Sequence, residues 1–293
     1  MAMGDDGDIG DTWRKGLFYS SYNQPSTTVT WTPSDSIEQY LKTVALVKRQ
    51  GCEFPWKPED FNYTFNRYGF RSVEFEPSDK FKILVSGCSV TEGIGLPLDR
   101  VWPTLLGNMI PNSVVYNLGQ GGHSNAYIAR SIYKTIDILK PDLVAVLFTY
   151  GDRIEIFDNL TPWGKNNKSI RPYLGATDAA NPLYPKHLLY HDNQQYESQK
   201  NKLFTELVCK NYGCPYIWLD LTDDLPISKA ECRPPQIQHI KNFSLTNIPD
   251  ELRNTPEYIK YFTARDGMHS GYAWQQSVAL SMFQQYQKLF HQV

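Results

Sequence analysis

The chain has 293 residues, of which 41% are apolar and 20% charged, with a net charge of −2. That size suits one large core with extensions, and the lack of a basic block leaves a nucleic-acid partner without electrostatic support. No apolar run reaches the length of a membrane span. The start, Met1-Ala-Met-Gly-Asp-Asp-Gly-Asp8, is acidic and glycine-rich, opposite to the basic and apolar regions of a signal peptide. The expectation is an intracellular location, cytoplasmic or otherwise, with the first residues a flexible arm or a cloning scar. Five cysteines at irregular spacings suggest no disulfide framework and no metal knuckle, so reduced thiols are expected.

Residues 1–80 show little periodicity apart from a helix near Ser36–Arg49. Ser36 caps it, and Ile37, Tyr40, Leu41 and Val44 recur at helical spacing. Prolines and aromatics dominate around that helix, and the segment is expected to wrap over the main domain as an arm. From Phe81 the pattern becomes strand and helix in alternation. Phe81–Ser86 is a short apolar run ending at Gly87, which reads as a buried parallel strand. A helix near 100–110, a strand at Val114–Leu118 and a helix over about 124–139 follow. In that last helix Ala126, Ile128, Ala129, Ile132, Ile136 and Leu139 mark one face. Leu143–Phe148 is a third strand, a helix near 194–212 precedes a fourth at Pro215–Leu219, and a terminal helix spans about 271–290. This order predicts an α/β fold with right-handed crossovers and a parallel sheet. Residues 151–190 and 221–262 lack periodicity and read as long insertions, which are often functional. Aromatics make up 14% of the chain, and several, such as Trp163 and Tyr190, fall in loop-like segments. They suit either sugar stacking or the pinning of loops to the core.

Three strand ends carry polar or glycine-rich motifs. They are Gly87-Cys88-Ser89, Asn117-Leu-Gly-Gln-Gly-Gly122 and Thr149-Tyr-Gly-Asp-Arg153. In an open α/β sheet those ends share one edge, where ligands bind. Asp266-Gly-Met-His269, just before the terminal helix, would reach the same edge. A serine needs a base, and that base needs an orienting carboxylate. Each residue also has a structural use. Ser89 and Asp266 suit helix caps, a lone His269 suits a core, and Cys88 is either a small buried hydrophobe or a thiol nucleophile. His123 either contacts substrate or begins the helix. Asp152 and Glu155 form a carboxylate pair whose geometry the sequence does not fix.

In these blocks, from about residue 81 to the C-terminus, the chain resembles the SGNH (GDSL-type) hydrolase family. Gly87-Cys88-Ser89 is similar to the family's Gly-Asp-Ser turn. Asn117 to Gly122 is similar to the Asn-and-glycine block, with Gly122 at the family glycine. Asp266 to His269 matches the Asp-x-x-His block. Asn66-Arg-Tyr-Gly-Phe-Arg71 resembles a lead-in found ahead of some SGNH domains. The resemblance implies a flavodoxin-like three-layer sandwich around a mainly parallel sheet. It also implies a Ser89–His269–Asp266 triad, with the Ser89 and Gly122 N–H groups facing the oxyanion. Ester hydrolysis would run through an acyl-enzyme without metal or cofactor, on a small-molecule or glycan ester. The chain departs from the pattern in two places. Cys88 replaces the acidic residue of the first block. Gly151 stands where the third block has an asparagine that donates to the oxyanion, a loss worth on the order of a hundred- to a thousandfold in rate. Arg153 or the Gly151 backbone would then be its substitute. The competing reading is a non-catalytic glycan-binding or structural module of the same fold. A third, phosphate or nucleotide binding at Gly119–Gly122, lacks the Lys-Ser/Thr of a P-loop.

Overall fold

The computed structural model describes residues 23–157, 167–170, 190–221 and 255–290. The start of the chain, Trp163, and the parts of the two expected insertions that fall in 158–166, 171–189 and 222–254 lie outside the described residues. The architecture is α/β. Four strands, β3 (Phe81–Gly87), β4 (Ser113–Asn117), β5 (Leu143–Phe148) and β8 (Tyr216–Asp220), form a parallel sheet in the order β4-β3-β5-β8.

Strand alternation divides the apolar residues between two cores. Ile83, Val85, Leu143, Ala145 and Leu147 pack against α3 (Trp102–Met109) and α7 (Tyr272–Phe290) through Trp102, Leu106, Val278 and Met282. Leu84, Val144, Val146 and Phe148 pack on the other face. Their partners are Ile128, Ile132 and Ile136 of α4 (Asn125–Leu139) and Val208 of α5 (His191–Asn211). The near-continuous apolar strands are thus explained by burial on both faces. Because α3 and α4 cover opposite faces, the strand order reverses between β3 and β5. A crevice opens at such a switch point, outside the carboxyl ends of the strands.

Residues 23–80 add β1 (Thr28–Val29), antiparallel to β2 (Tyr63–Thr64), and α1 (Ile37–Arg49), whose Ser36 hydroxyl accepts from Gln39 N at 3.2 Å. A third apolar cluster joins Val47, Trp56, Phe61 and Tyr63 of this segment to Ile94, Leu96 and Ala264. Within it lies Arg265, fully buried. Its Nε and Nη2 donate to Asp35 Oδ2 at 3.0 and 2.7 Å, and its guanidinium stacks over Trp31 and Phe61 at 4.2 and 4.0 Å. The lead-in motif is a turn followed by a clamp. Asn66 Oδ1 accepts from Tyr68 N and Phe70 N, both at 3.0 Å, and the buried Arg71 donates to Gly93 O at 2.5 Å and Leu96 O at 2.7 Å. Aperiodic sequence here reflects side chains that bond backbone rather than a repeating element.

Two expectations of irregular structure are corrected. Within 151–190, β6 (Ile154–Phe157) pairs antiparallel with β7 (Asn167–Ile170). Four alternating residues are too few for a period to stand out. Within 221–262, Pro256–Phe262 forms α6, with proline in its first turn, where its missing N–H costs nothing.

Candidate active site

The serine turn is built by a glycine that gives room. Gly87 ends β3, Cys88 caps the one-turn helix α2 (Ser89–Glu92), and Ser89 is its first residue. Gly87 does not lie in the left-handed region, so its role is room rather than an unusual φ. A Cβ at Gly87 would lie 1.9 Å from Thr91 Oγ1, so α2 can seat on the strand end only over glycine. Trp102 Nε1 then donates to that hydroxyl at 3.2 Å. Gln275 of α7 donates through Nε2 to Val90 O at 3.1 Å, which ties the terminal helix to the serine turn.

The second block is a frame of side-chain bonds. Asn117 Nδ2 donates to Thr91 O and its Oδ1 accepts from Gly119 N, both at 2.8 Å. Glu92, fully buried, accepts from Gly121 N through Oε2 at 2.6 Å and from Asn23 Nδ2 through Oε1 at 3.0 Å. Gly122 follows in the left-handed region, φ +74°, with no atom within 4 Å of a would-be Cβ. Its glycine is a conformational requirement. Ser89 N and Gly122 N form no hydrogen bond among the described residues.

The Asp266–His269 segment is an Asx-type turn. Asp266 Oδ1 accepts from Met268 N and His269 N at 3.0 Å each, and Oδ2 meets His269 Nδ1 at 2.5 Å. From α1, Gln39 Nε2 and Thr43 Oγ1 donate to Asp266 O at 3.2 and 3.0 Å. Burial alone would lower the His269 pKa. The hydrogen bond and charge of Asp266 outweigh it, with further help from Cys88 and Glu92, and hold it above the usual histidine value.

These elements meet at a cavity of about 530 Å³ at the switch point. Its wall includes Ser89, Gly122 and His269 together with Cys88, Tyr150, Arg153, Met268 and Trp274. The Ser89 hydroxyl makes no hydrogen bond among the described residues, His269 included, and apo catalytic hydrogen bonds are commonly loose. Burial would raise the Cys88 thiol, but the Arg153 guanidinium and the Thr149 hydroxyl hold it below its ordinary value.

Other expected residues lie elsewhere. Gly151 is not in the cavity wall, and a Cβ there would sit 2.3 Å from Gln194 O, so the position admits no side chain. His123 Nδ1 donates to Gly121 O at 2.8 Å, its ring packs on Tyr127 at 4.1 Å, and burial pushes its pKa down to about 4. Glu155 is ion-paired with Arg130 and lies outside the cavity wall, as does Asp152. Tyr190 is exposed on the rim of α5. Among the described residues no group of three or more His, Cys, Asp or Glu side chains is arranged to hold a metal, and no helix is long and apolar enough to cross a membrane. The frame residues Glu92, Gln39, Thr43 and Arg265 were not singled out in the sequence. Their partners lie up to 230 positions away, and only Ser89-Val-Thr-Glu92 gave a local signal, that of a helix cap.

No protein-family model matches the chain, and no curated protein matches it. Solved structures do show likeness. A structure of TesA is 14% identical, with a TM-score of 0.37, over 71% of this chain and 99% of that one. A lipolytic protein of the G-D-S-L family from Veillonella parvula is 13% identical, with a TM-score of 0.32, over 72% and 99%. A lipase/acylhydrolase from Enterococcus faecalis is 18% identical, with a TM-score of 0.31, over 71% and 95%. The chain is thus similar, at low identity, to solved lipolytic proteins and acylhydrolases.

Proposed function

We propose that the protein is a divergent SGNH-type serine hydrolase that cleaves a carboxylic ester. The observation that carries this reading is the Asp266-bonded His269 ring sharing one cavity wall with Ser89. Ser89 Oγ attacks the ester carbonyl carbon and its proton passes to His269 Nε2, which then hands it to the departing alcohol. Asp266 fixes the imidazole tautomer and stabilises the imidazolium. Water next attacks the acyl-enzyme and yields its proton to His269. The C–Oγ bond then breaks, the acid leaves, and His269 returns the proton to Ser89 Oγ. The unused N–H groups of Ser89 and Gly122 are the donors for the oxyanion. The rings of Tyr150 and Trp274 in the wall suit a sugar as the alcohol part.

The test is labelling with a fluorophosphonate, read by mass spectrometry of the modified peptide. Ser89 is expected to carry the adduct. A folded protein that stays unlabelled, with no ester turned over, would instead be a binding or structural module of this fold.

The Glu92 frame gives a second expectation. Glu92→Ala removes the acceptor for Gly121 N and frees the loop that ends in Gly122. A misplacement of about 1 Å costs on the order of a hundredfold in kcat, and the orphaned N–H costs about 1–3 kcal/mol of stability. Ester kinetics and urea unfolding measure the two. An unaltered kcat would mean that the loop holds its shape without the carboxylate.

A further inference from the structure

Arg153 lines the cavity beside Cys88 and Ser89, yet it is only 8% exposed. Its Nη1 donates to His123 O at 3.2 Å, and its guanidinium lies 5.2 Å from the Tyr150 ring centre. No carboxylate pairs with it among the described residues, and its Nε–H has no partner there. Of the other guanidiniums, the part-buried Arg130 is neutralised by Glu155 and the fully buried Arg265 by Asp35. Arg71 is spent on backbone carbonyls away from the cavity.

An unpaired buried cation is expensive, because desolvation is not repaid by an opposite charge. A free guanidinium in the wall of a ligand cavity is repaid when an anion enters, and its planar fork matches carboxylate and phosphate oxygens. Among the described residues no Asp or Glu lines the wall to repel such a group. Cys88 lines the same wall as Arg153, and the guanidinium together with the Thr149 hydroxyl draws its thiol below the ordinary value against the effect of burial.

We propose that Arg153 is a specificity residue that selects esters bearing an anionic group, a carboxylate or a phosphate, close to the scissile bond. This rests on the hydrolase reading above. The role differs from that of a substitute oxyanion donor, which would act on every ester alike.

Three esters test it: 4-nitrophenyl acetate, 4-nitrophenyl hemisuccinate and 4-acetoxyphenyl phosphate, which are neutral, carboxylate-bearing and phosphate-bearing. The wild type is expected to favour at least one anionic ester in kcat/KM by about tenfold to a hundredfold, and the better of the two names the anion. Arg153→Gln is expected to erase that ratio, mainly by raising KM for the favoured ester, while Arg153→Lys retains part of it. Wild-type turnover with no anionic preference overturns the proposal. So does an Arg153→Gln variant in which kcat falls equally for all three, the signature of an oxyanion donor. Calorimetric titration with succinate and with inorganic phosphate separates the two readings. Arg153-dependent binding without turnover of any ester keeps the anion site and sinks the hydrolase. Turnover of the neutral ester alone, with neither anion bound, does the reverse.

Discussion

Ser89→Ala is expected to lower kcat/KM for short-chain aryl esters by on the order of 10⁴-fold or more, and to abolish fluorophosphonate labelling. The effect is large because the acyl-enzyme forms on the Ser89 oxygen itself. Cys88 is adjacent in sequence but only 1% exposed as the residue that caps α2, whereas Ser89 opens the helix at the cavity. The substitution removes one oxygen from a residue that makes no side-chain hydrogen bond among the described residues, so the thermal midpoint should move little. That separates a lost nucleophile from a lost fold. Full activity in the alanine variant would end the Ser89 reading and turn attention to the Cys88 thiol.

Asp266→Asn is expected to cost about 10³- to 10⁴-fold in kcat and to displace the pH profile. His269 acts as a base only when neutral, so kcat/KM rises as pH rises through its pKa. In the wild type that midpoint should lie above the ordinary histidine value of about 6.5, because Asp266 outweighs burial. With the carboxylate gone, burial dominates and the midpoint should fall below it. A profile that keeps its acid limb in the variant would mean that Asp266 does not set the histidine's charge. The raised value also links to folding. Its stabilising contribution is complete below the unfolded-state pKa and is lost as pH rises through the higher folded value.

Much of this arrangement was legible in the sequence. The strand at Leu143–Phe148 has the bounds that its apolar run predicts, and the helices at 37–49 and 125–139 begin after the serines that cap them. Buried strands and one-sided helices write their environment into periodicity, so such elements can be read locally. Short pieces could not. Ile154–Phe157 and Pro256–Phe262 are elements because a partner strand or a packed helix completes them. The same limit hid the site's frame. Nothing near Glu92 announces that it holds Gly121, and nothing near Thr43 announces that it holds Asp266.

By itself the sequence determined the alternation of strand and helix, and with it the parallel sheet whose carboxyl edge gathers Ser89, Gly122 and His269. The family resemblance, beyond that, set Gly151 where an asparagine is expected. Only the tertiary structure decided the surroundings of that position. Gly151 is pressed against a helix carbonyl with no room for a side chain, while Arg153, two residues on, reaches the cavity with no carboxylate partner among the described residues. The reason is physical. A residue's type travels with the chain, but its desolvation, its partners and the space beside it belong to segments distant in sequence.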